Sequence, residues 1–174
     1  RQRLPGQRFA INLAPSTVYR AQFPLEVSRL LAKYAVEAWQ LIFEVTESSA
    51  FGHADLAAST LRKLQKMGIR IAIDDFGTGY ASYARLKSVD ADILKIDGGF
   101  IRNIVSNSLD YQIVASICHL ARMKKMLVVA EYVETEEIRS AVHALGIDYV
   151  QGYLIGLPAE LDTLLDTQPS QESA

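Results

Sequence analysis

The chain has 174 residues, 49% hydrophobic and 22% charged, with a formal net charge of −2. That balance fits one globular domain with a sizeable core, and it argues against a phosphate-backbone binder, which usually carries a basic face. Cys118 is the single cysteine, so no intrachain disulfide forms, and a reducing, cytoplasmic setting is expected. No apolar run approaches the roughly 20 residues of a membrane span, and the opening residues 1–6 lack the apolar stretch of a signal peptide.

In chain order, short apolar runs alternate with amphipathic stretches. The runs are Phe9–Leu13, Leu41–Val45, Ile69–Ile73, Ile93–Ile96, Leu127–Ala130 and Tyr149–Gln151. Each is almost continuously apolar, which predicts strands buried on both faces of a parallel sheet. Between them, Ala57, Leu61, Leu64 and Met67 recur at helical spacing and Gly68 offers a stop. Ile113, Ile117, Leu120 and Ala121 form a second stripe. Ile138, Ala141, Val142 and Leu145 form a third, with Thr135 as N-cap and Gly146 as stop. Strand–helix alternation of this kind means a parallel sheet. A (β/α)8 barrel typically needs about 250 residues. Six strands in this chain therefore predict a barrel lacking about two βα units before residue 1. A six-stranded open sheet is the alternative, but the Gly-rich turn of a dinucleotide-binding sheet is missing after the first strand. Residues 1–165 are assigned to the domain and residues 166–174, polar and carrying Pro169, to a loose tail.

Each strand run finishes on or beside a polar residue that strand propensity does not favour. These are Asn12, Glu44, Asp74 with Asp75, Lys95 with Asp97 two residues on, Glu131 and Gln151. In a barrel they would share the C-terminal rim, where barrel enzymes keep their chemistry. Converging carboxylates repel, so some must protonate or bind cations. Hard oxygen ligands suit Mg²⁺, Mn²⁺ or Ca²⁺, and no His-x-x-x-His or Cys-x-x-Cys pair supports zinc. Adjacent Asp74 and Asp75 can serve two ions, the usual clamp for phosphodiester hydrolysis, with Lys95 meeting developing negative charge or holding the attacking water. Any one of these residues alone reads as a cap or turn residue. A barrel lyase using one Mg²⁺ would also explain the carboxylates, but not the motifs around them. His53, His119 and His143 read as structural or exposed, and Cys118 as core.

Ile11-Asn12-Leu13, Phe43 to Ser48, Ile73 to Tyr80 (Ile-Asp-Asp-Phe-Gly-Thr-Gly-Tyr), Leu94 to Asp97, Val129 to Thr135 and Gln151-Gly152-Tyr153 occur in one order and spacing. That set resembles EAL domains, bacterial cyclic-di-GMP phosphodiesterases, from about residue 8 to Pro158. The resemblance implies two-metal hydrolysis of cyclic di-GMP to linear pGpG, with Mg²⁺ or Mn²⁺. It makes Asn12, Glu44 and Asp74 ligands of one ion. Asp74 and Asp75 serve the second, with Glu131 beside them as ligand or proton acceptor. Lys95 matches the lysine near the attacking water. Glu47 matches the glutamate anchoring the loop Phe76–Ser82, and Asp97, Glu134 and Gln151 match pocket or supporting residues. Lys95, Glu131 and Asp75 are thus the expected catalytic groups.

Three departures qualify the resemblance. The Glu-Ala-Leu tripeptide that names the family, whose glutamate is a metal ligand, is absent, so the 174 residues alone are expected to be impaired. Tyr132 stands where the family usually has glycine, and is expected to crowd the rim or alter its backbone. Ala14 replaces a serine. The alternative function is a degenerate domain that binds cyclic di-GMP, or a protein partner, without cleaving it. The expected partners are cyclic di-GMP, a second copy in a homodimer, and an upstream sensor or GGDEF domain. Neither polymeric nucleic acid nor membrane contact is expected of this chain.

Overall fold

A computed structural model of the chain describes residues 6–52, 54–77 and 90–160. His53, the loop residues 78–82 and the tail 166–174 named above lie outside the described residues. The elements are β1 (Phe9–Asn12), α1 (Pro15–Val18), α2 (Phe23–Tyr34), a 3-10 turn (Ala38–Gln40), β2 (Leu41–Thr46), α3 (Glu47–Gly52), α4 (Ala54–Lys66) and β3 (Arg70–Phe76). They continue with β4 (Ile93–Ile96), α5 (Gly98–Ile101), α6 (Ser108–Met123), β5 (Leu127–Ala130), α7 (Glu136–Ala144) and β6 (Tyr149–Val150).

All six strands are parallel and lie in the order β1-β2-β3-β4-β5-β6. A doubly wound sheet would reverse its order at a switch point; sequential order is that of a barrel wall. The period-two alternation of the strands then sorts side chains onto two faces. Phe43, Val45, Ile71, Ile73, Leu94, Ile96, Val128 and Ala130 face the helices and form one core with Ala57, Leu61 and Leu64 of α4. Val114, Ile117, Cys118 and Ala121 of α6 and Ile138 and Val142 of α7 complete it. The opposite set, including Ala10, Ile42, Glu44, Ala72, Lys95, Val129 and Gln151, lines a cavity of about 510 Å³ on the concave side.

The helix stops and caps expected from sequence are in place. Thr135 Oγ1 accepts a hydrogen bond from Ile138 N, and Gly68 and Gly146 take positive φ of 97° and 68°. Cys118 is a buried core residue whose thiol burial pushes up to about 11, so it is no reactive nucleophile. His119 and His143 are exposed. Among the described residues no helix is long and apolar enough to cross a membrane.

Two expectations need correction. Burial on both faces holds for the central strands but not at the sheet edges. All four residues of β1 are exposed, as is Tyr149 of β6, because an edge strand has a neighbour on one side only. The third strand does not end before its two aspartates. It runs on to Phe76, and its register with β4 shifts between Ile73 and Phe76.

One device recurs along the sheet. Asp92, just before β4, accepts from Ile71 N of β3 (2.9 Å) and from Gln65 Nε2 (3.1 Å). Asp148, just before β6, accepts from Val128 N of β5 (2.8 Å). In both cases a carboxylate entering one strand satisfies a backbone donor at the start of its neighbour, and so sets the register. Asp92→Ala should lower unfolding free energy by about 1–3 kcal/mol, because it orphans a buried N–H, whereas Asp92→Asn keeps an acceptor and should cost less. Urea denaturation of the two variants checks this order.

Candidate functional site

The rim begins with Lys95 at the third position of β4, the strand between β3 and β5. Its side chain must point to the concave face, because Leu94 and Ile96 on either side are in the helix-packed core. There the ammonium lies 3.1 Å from Glu44 Oε2 of β2, 2.8 Å from Asp74 Oδ1 of β3 and 3.0 Å from Glu131 Oε1, one residue beyond β5. Lys95 is 4% exposed, Glu131 8% and Glu44 9%. Burial alone would lower the lysine, but the contacts with Asp74 and Glu131 and the charge of Glu44 outweigh it and hold the ammonium above the ordinary lysine range. One cation therefore faces three carboxylates. The negative excess shows on the acids: burial, reinforced by Asp74 and Asp75, raises Glu131 despite Lys95.

In a regular strand Asp74 and Asp75 would point to opposite faces. The irregularity in β3 prevents that. Asp75 sits at φ 54°, in the left-handed region that aspartate tolerates better than most residues, and a bulge of this kind re-aims a side chain. One oxygen each from Asp74, Asp75 and Glu131 consequently lie within 4.8 Å of one another. Asp75 is exposed, yet partial desolvation, then the charges of Asp74 and Asp97, raise it from its ordinary value. Asp74 Oδ1 is buried, and the group that faces it is the Lys95 ammonium at 2.8 Å. Three carboxylates at this spacing, with no cysteine or histidine grouped with them among the described residues, fit a hard divalent ion.

The remaining residues expected at the site take up differing positions. Asn12 pairs with Glu44 in the β1–β2 register, so its strand position is beside that carboxylate. Glu44 reaches the cluster through Lys95 and is not one of the three mutually close acids. Glu47, 4% exposed at the start of α3, accepts a hydrogen bond from Gly77 N at 3.2 Å, tying the end of β3 to β2. Asp97 caps α5 by accepting from Gly99 N at 2.8 Å, so part of its role is structural. Gln151 lines the concave cavity. Glu134 is exposed, just before the N-cap of α7.

Tyr132 sits at φ 54°, a conformation glycine adopts freely and other residues at a cost of about 1–3 kcal/mol. It does not line the concave cavity. Its ring packs on Gly98 and lies under the Arg102 guanidinium, whose carbon is 3.9 Å from the ring centroid. Such a stack recovers about 0.5–1 kcal/mol at an exposed site. Gly98 and Arg102 were not legible as rim residues. The only signal was the pair Gly98-Gly99 directly after Asp97, which marks a place short of room.

Comparison with known proteins gives the arrangement a family. The EAL domain model matches residues 1–158. Cyclic di-GMP phosphodiesterase PdeF of Escherichia coli K12 is 72% identical over 175 residues, covering 100% of this chain and 23% of its own length. The chain thus spans less than a quarter of that relative. The solved structure of the PaMucR phosphodiesterase in complex with c-di-GMP superposes with a TM-score of 0.84 at 40% identity, covering 90% of this chain and 64% of that one. The Klebsiella pneumoniae BlrP1 manganese/cy-diGMP complex superposes at 0.79 with 32% identity, covering 84% and 38%. With its sequential parallel wall and acidic rim, the chain belongs to the EAL domain family.

Proposed function

We propose that the intact protein carrying this chain hydrolyses cyclic di-GMP to linear pGpG with the aid of two divalent ions, Mg²⁺ or Mn²⁺. The observation that carries this reading is the cluster of Asp74, Asp75 and Glu131 around Lys95 in a chain of the EAL family. Support comes from the PdeF relative, named as a cyclic di-GMP phosphodiesterase, and from the manganese and calcium complexes of BlrP1 with cy-diGMP. Asn12, Glu44 and Asp74 would hold one ion, and Asp74, Asp75 and Glu131 the other. Bound there, such ions lower the pKa of water and neutralise phosphate charge.

The chain's own groups do the rest. Lys95 balances the carboxylates and offers a proton donor at Nζ toward the attacking water or the phosphate oxygen. Glu131, as the carboxylate beside the aspartate pair, is the ligand or the proton acceptor. Glu47 restrains the segment after Asp75 through Gly77 N. Gln151 lines the cavity that would take substrate, and Asp97 and Glu134 would bind substrate or support those that do. The 174 residues contain no Glu-Ala-Leu, so full activity calls on more of the protein than this stretch. Residues 1–165 form the domain in this reading, and 166–174 a tail. A homodimer, a cytoplasmic site of action and an upstream sensor or cyclase-type GGDEF domain complete the proposal. The last is supported by MucR, a bifunctional diguanylate cyclase/phosphodiesterase 41% identical to the chain over 156 residues.

Two experiments test this reading. The intact protein, incubated with cyclic di-GMP and Mn²⁺, should give the linear dinucleotide. Asp74→Asn should slow that turnover at least about a hundredfold, since losing a direct ligand exceeds the 10–100-fold typical of supporting residues. Absence of product from the unmodified protein, or full turnover by the variant, overturns the reading. Binding of cyclic di-GMP in EDTA without any hydrolysis would favour a receptor instead.

The second experiment needs no substrate. In EDTA, Lys95→Met strips the buried carboxylates of their cation and should cost about 3–5 kcal/mol of stability. Protonation relieves the stranded acids, and Glu131 among them holds its proton above the usual carboxylate range. The cost should therefore shrink as pH falls into and below that range, and be largest at and above neutrality. Denaturant titrations at several pH values read both the size and the sign.

A further inference from the structure

We propose that Tyr132 is a positioning residue for the divalent-cation site: wedged against Gly98 and beneath Arg102, its ring locks the turn that carries Glu131 to the turn that carries Asp97. The proposal rests on the metal-dependent reading above.

Glu131 is the one member of the acidic cluster that lies beyond its strand, so the turn after β5 sets where its carboxylate falls. That turn is held from both sides. Toward β6, Val133 N donates to Gln151 O at 3.0 Å, and Leu154 N donates to Val133 O at 3.2 Å. Any Cβ on Gly152 would overlap the Val133 backbone, so these two segments are in direct contact. Toward β4, past the β4–β5 ladder, the backbone link among the described residues is one longer bond, Glu131 N to Ile96 O at 3.3 Å. The Tyr132 ring supplies the rest of the attachment on that side.

Gly98 shows how tight the fit is. It is buried at the first position of α5, and its φ lies outside the left-handed region, so its backbone would accept alanine. What it lacks is room: an added Cβ would overlap Tyr132 Cδ2 and press on Cγ and Cβ. Arg102, one turn along from Gly98, closes the slot from the far side at 3.9 Å. Glycine at position 132 would adopt φ 54° without strain, but it would leave this slot empty. The turn would then lose its side-chain attachment beyond the β4–β5 ladder and keep, on that side, the 3.3 Å bond. Metal constellations need their ligands held within about 0.5 Å of the productive geometry, which a loosened turn does not provide.

The test uses the intact protein with Mn²⁺ as probe, measured by titration calorimetry and by the Mn²⁺ dependence of hydrolysis. Tyr132→Gly should weaken Mn²⁺ binding at least about tenfold and raise the Mn²⁺ needed for half-maximal turnover by a similar factor, while Tyr132→Phe, which keeps the ring, should stay within about twofold of the unmodified protein. Gly98→Ala should weaken Mn²⁺ binding in the Tyr132 background and add little in the Tyr132→Gly background, where the ring it strikes is gone. Equal Mn²⁺ affinity in folded Tyr132→Gly, or an equal effect of Gly98→Ala in both backgrounds, overturns the proposal. Should Tyr132→Gly not fold, Arg102→Ala at an exposed position carries the test: it should weaken Mn²⁺ in the same direction, and unchanged affinity overturns the proposal. If the unmodified protein neither binds Mn²⁺ nor turns over, the hydrolase reading itself fails. That outcome is distinct from variants that match a working parent.

Discussion

A single buried ammonium organises the rim. Lys95 Nζ stands about 3 Å from carboxylates delivered by β2, β3 and the end of β5. No surface ion pair has this consequence, because water would screen it. Here the lysine and two of its partners are almost wholly removed from solvent, and desolvation makes each charge depend on the others. The arrangement also requires the sheet order. Lys95 can meet Asp74 on one side and Glu131 on the other only because β4 lies between β3 and β5, and its long side chain reaches Glu44 across β3. One positive charge for three acids, with Asp75 adjoining, leaves the rim electrostatically incomplete and receptive to divalent ions.

Two residues around this centre adopt left-handed backbone at a cost, and both flank the acids. Asp75, at φ 54°, turns its carboxylate to the side that holds Asp74's. Tyr132, also at φ 54°, follows Glu131 directly. Unusual backbone persists where the surroundings over-determine it, and here the surroundings are identifiable. The Asp75 bulge is flanked by the Glu47–Gly77 bond, and Tyr132 by Gly98, Arg102 and the β6 contacts. The rim is therefore a set of strand ends tied to their neighbours rather than independent loops on a scaffold.

The strand–helix alternation, the inward set Glu44, Lys95 and Gln151, the Thr135 cap and the acidic character of one rim are all legible from residue order, because a two-residue period and a 3.6-residue period leave plain marks on a sequence. The ordered motifs also disclose the family. Less visible are the exposed faces of β1 and the half-exposed β6. An apolar run reads as buried whether or not a neighbour covers it, since periodicity reports what a strand could bury and not what lies against it.

The aspartate pair shows the division most clearly. Sequence alone determined that Asp74 and Asp75 stand at the end of a buried apolar run, just before Phe-Gly-Thr-Gly, and that carboxylates of other strands share their rim. It could not determine that β3 continues through them, or that an irregular register and a left-handed Asp75 bring consecutive side chains together. Nor could it reveal that Tyr132 takes left-handed backbone and packs on Gly98. Those outcomes depend on contacts between segments far apart in the chain, β3 with β4 and the β5 turn with α5. Only the assembled structure decides such contacts, because no local propensity encodes the shape of the space a distant glycine leaves open.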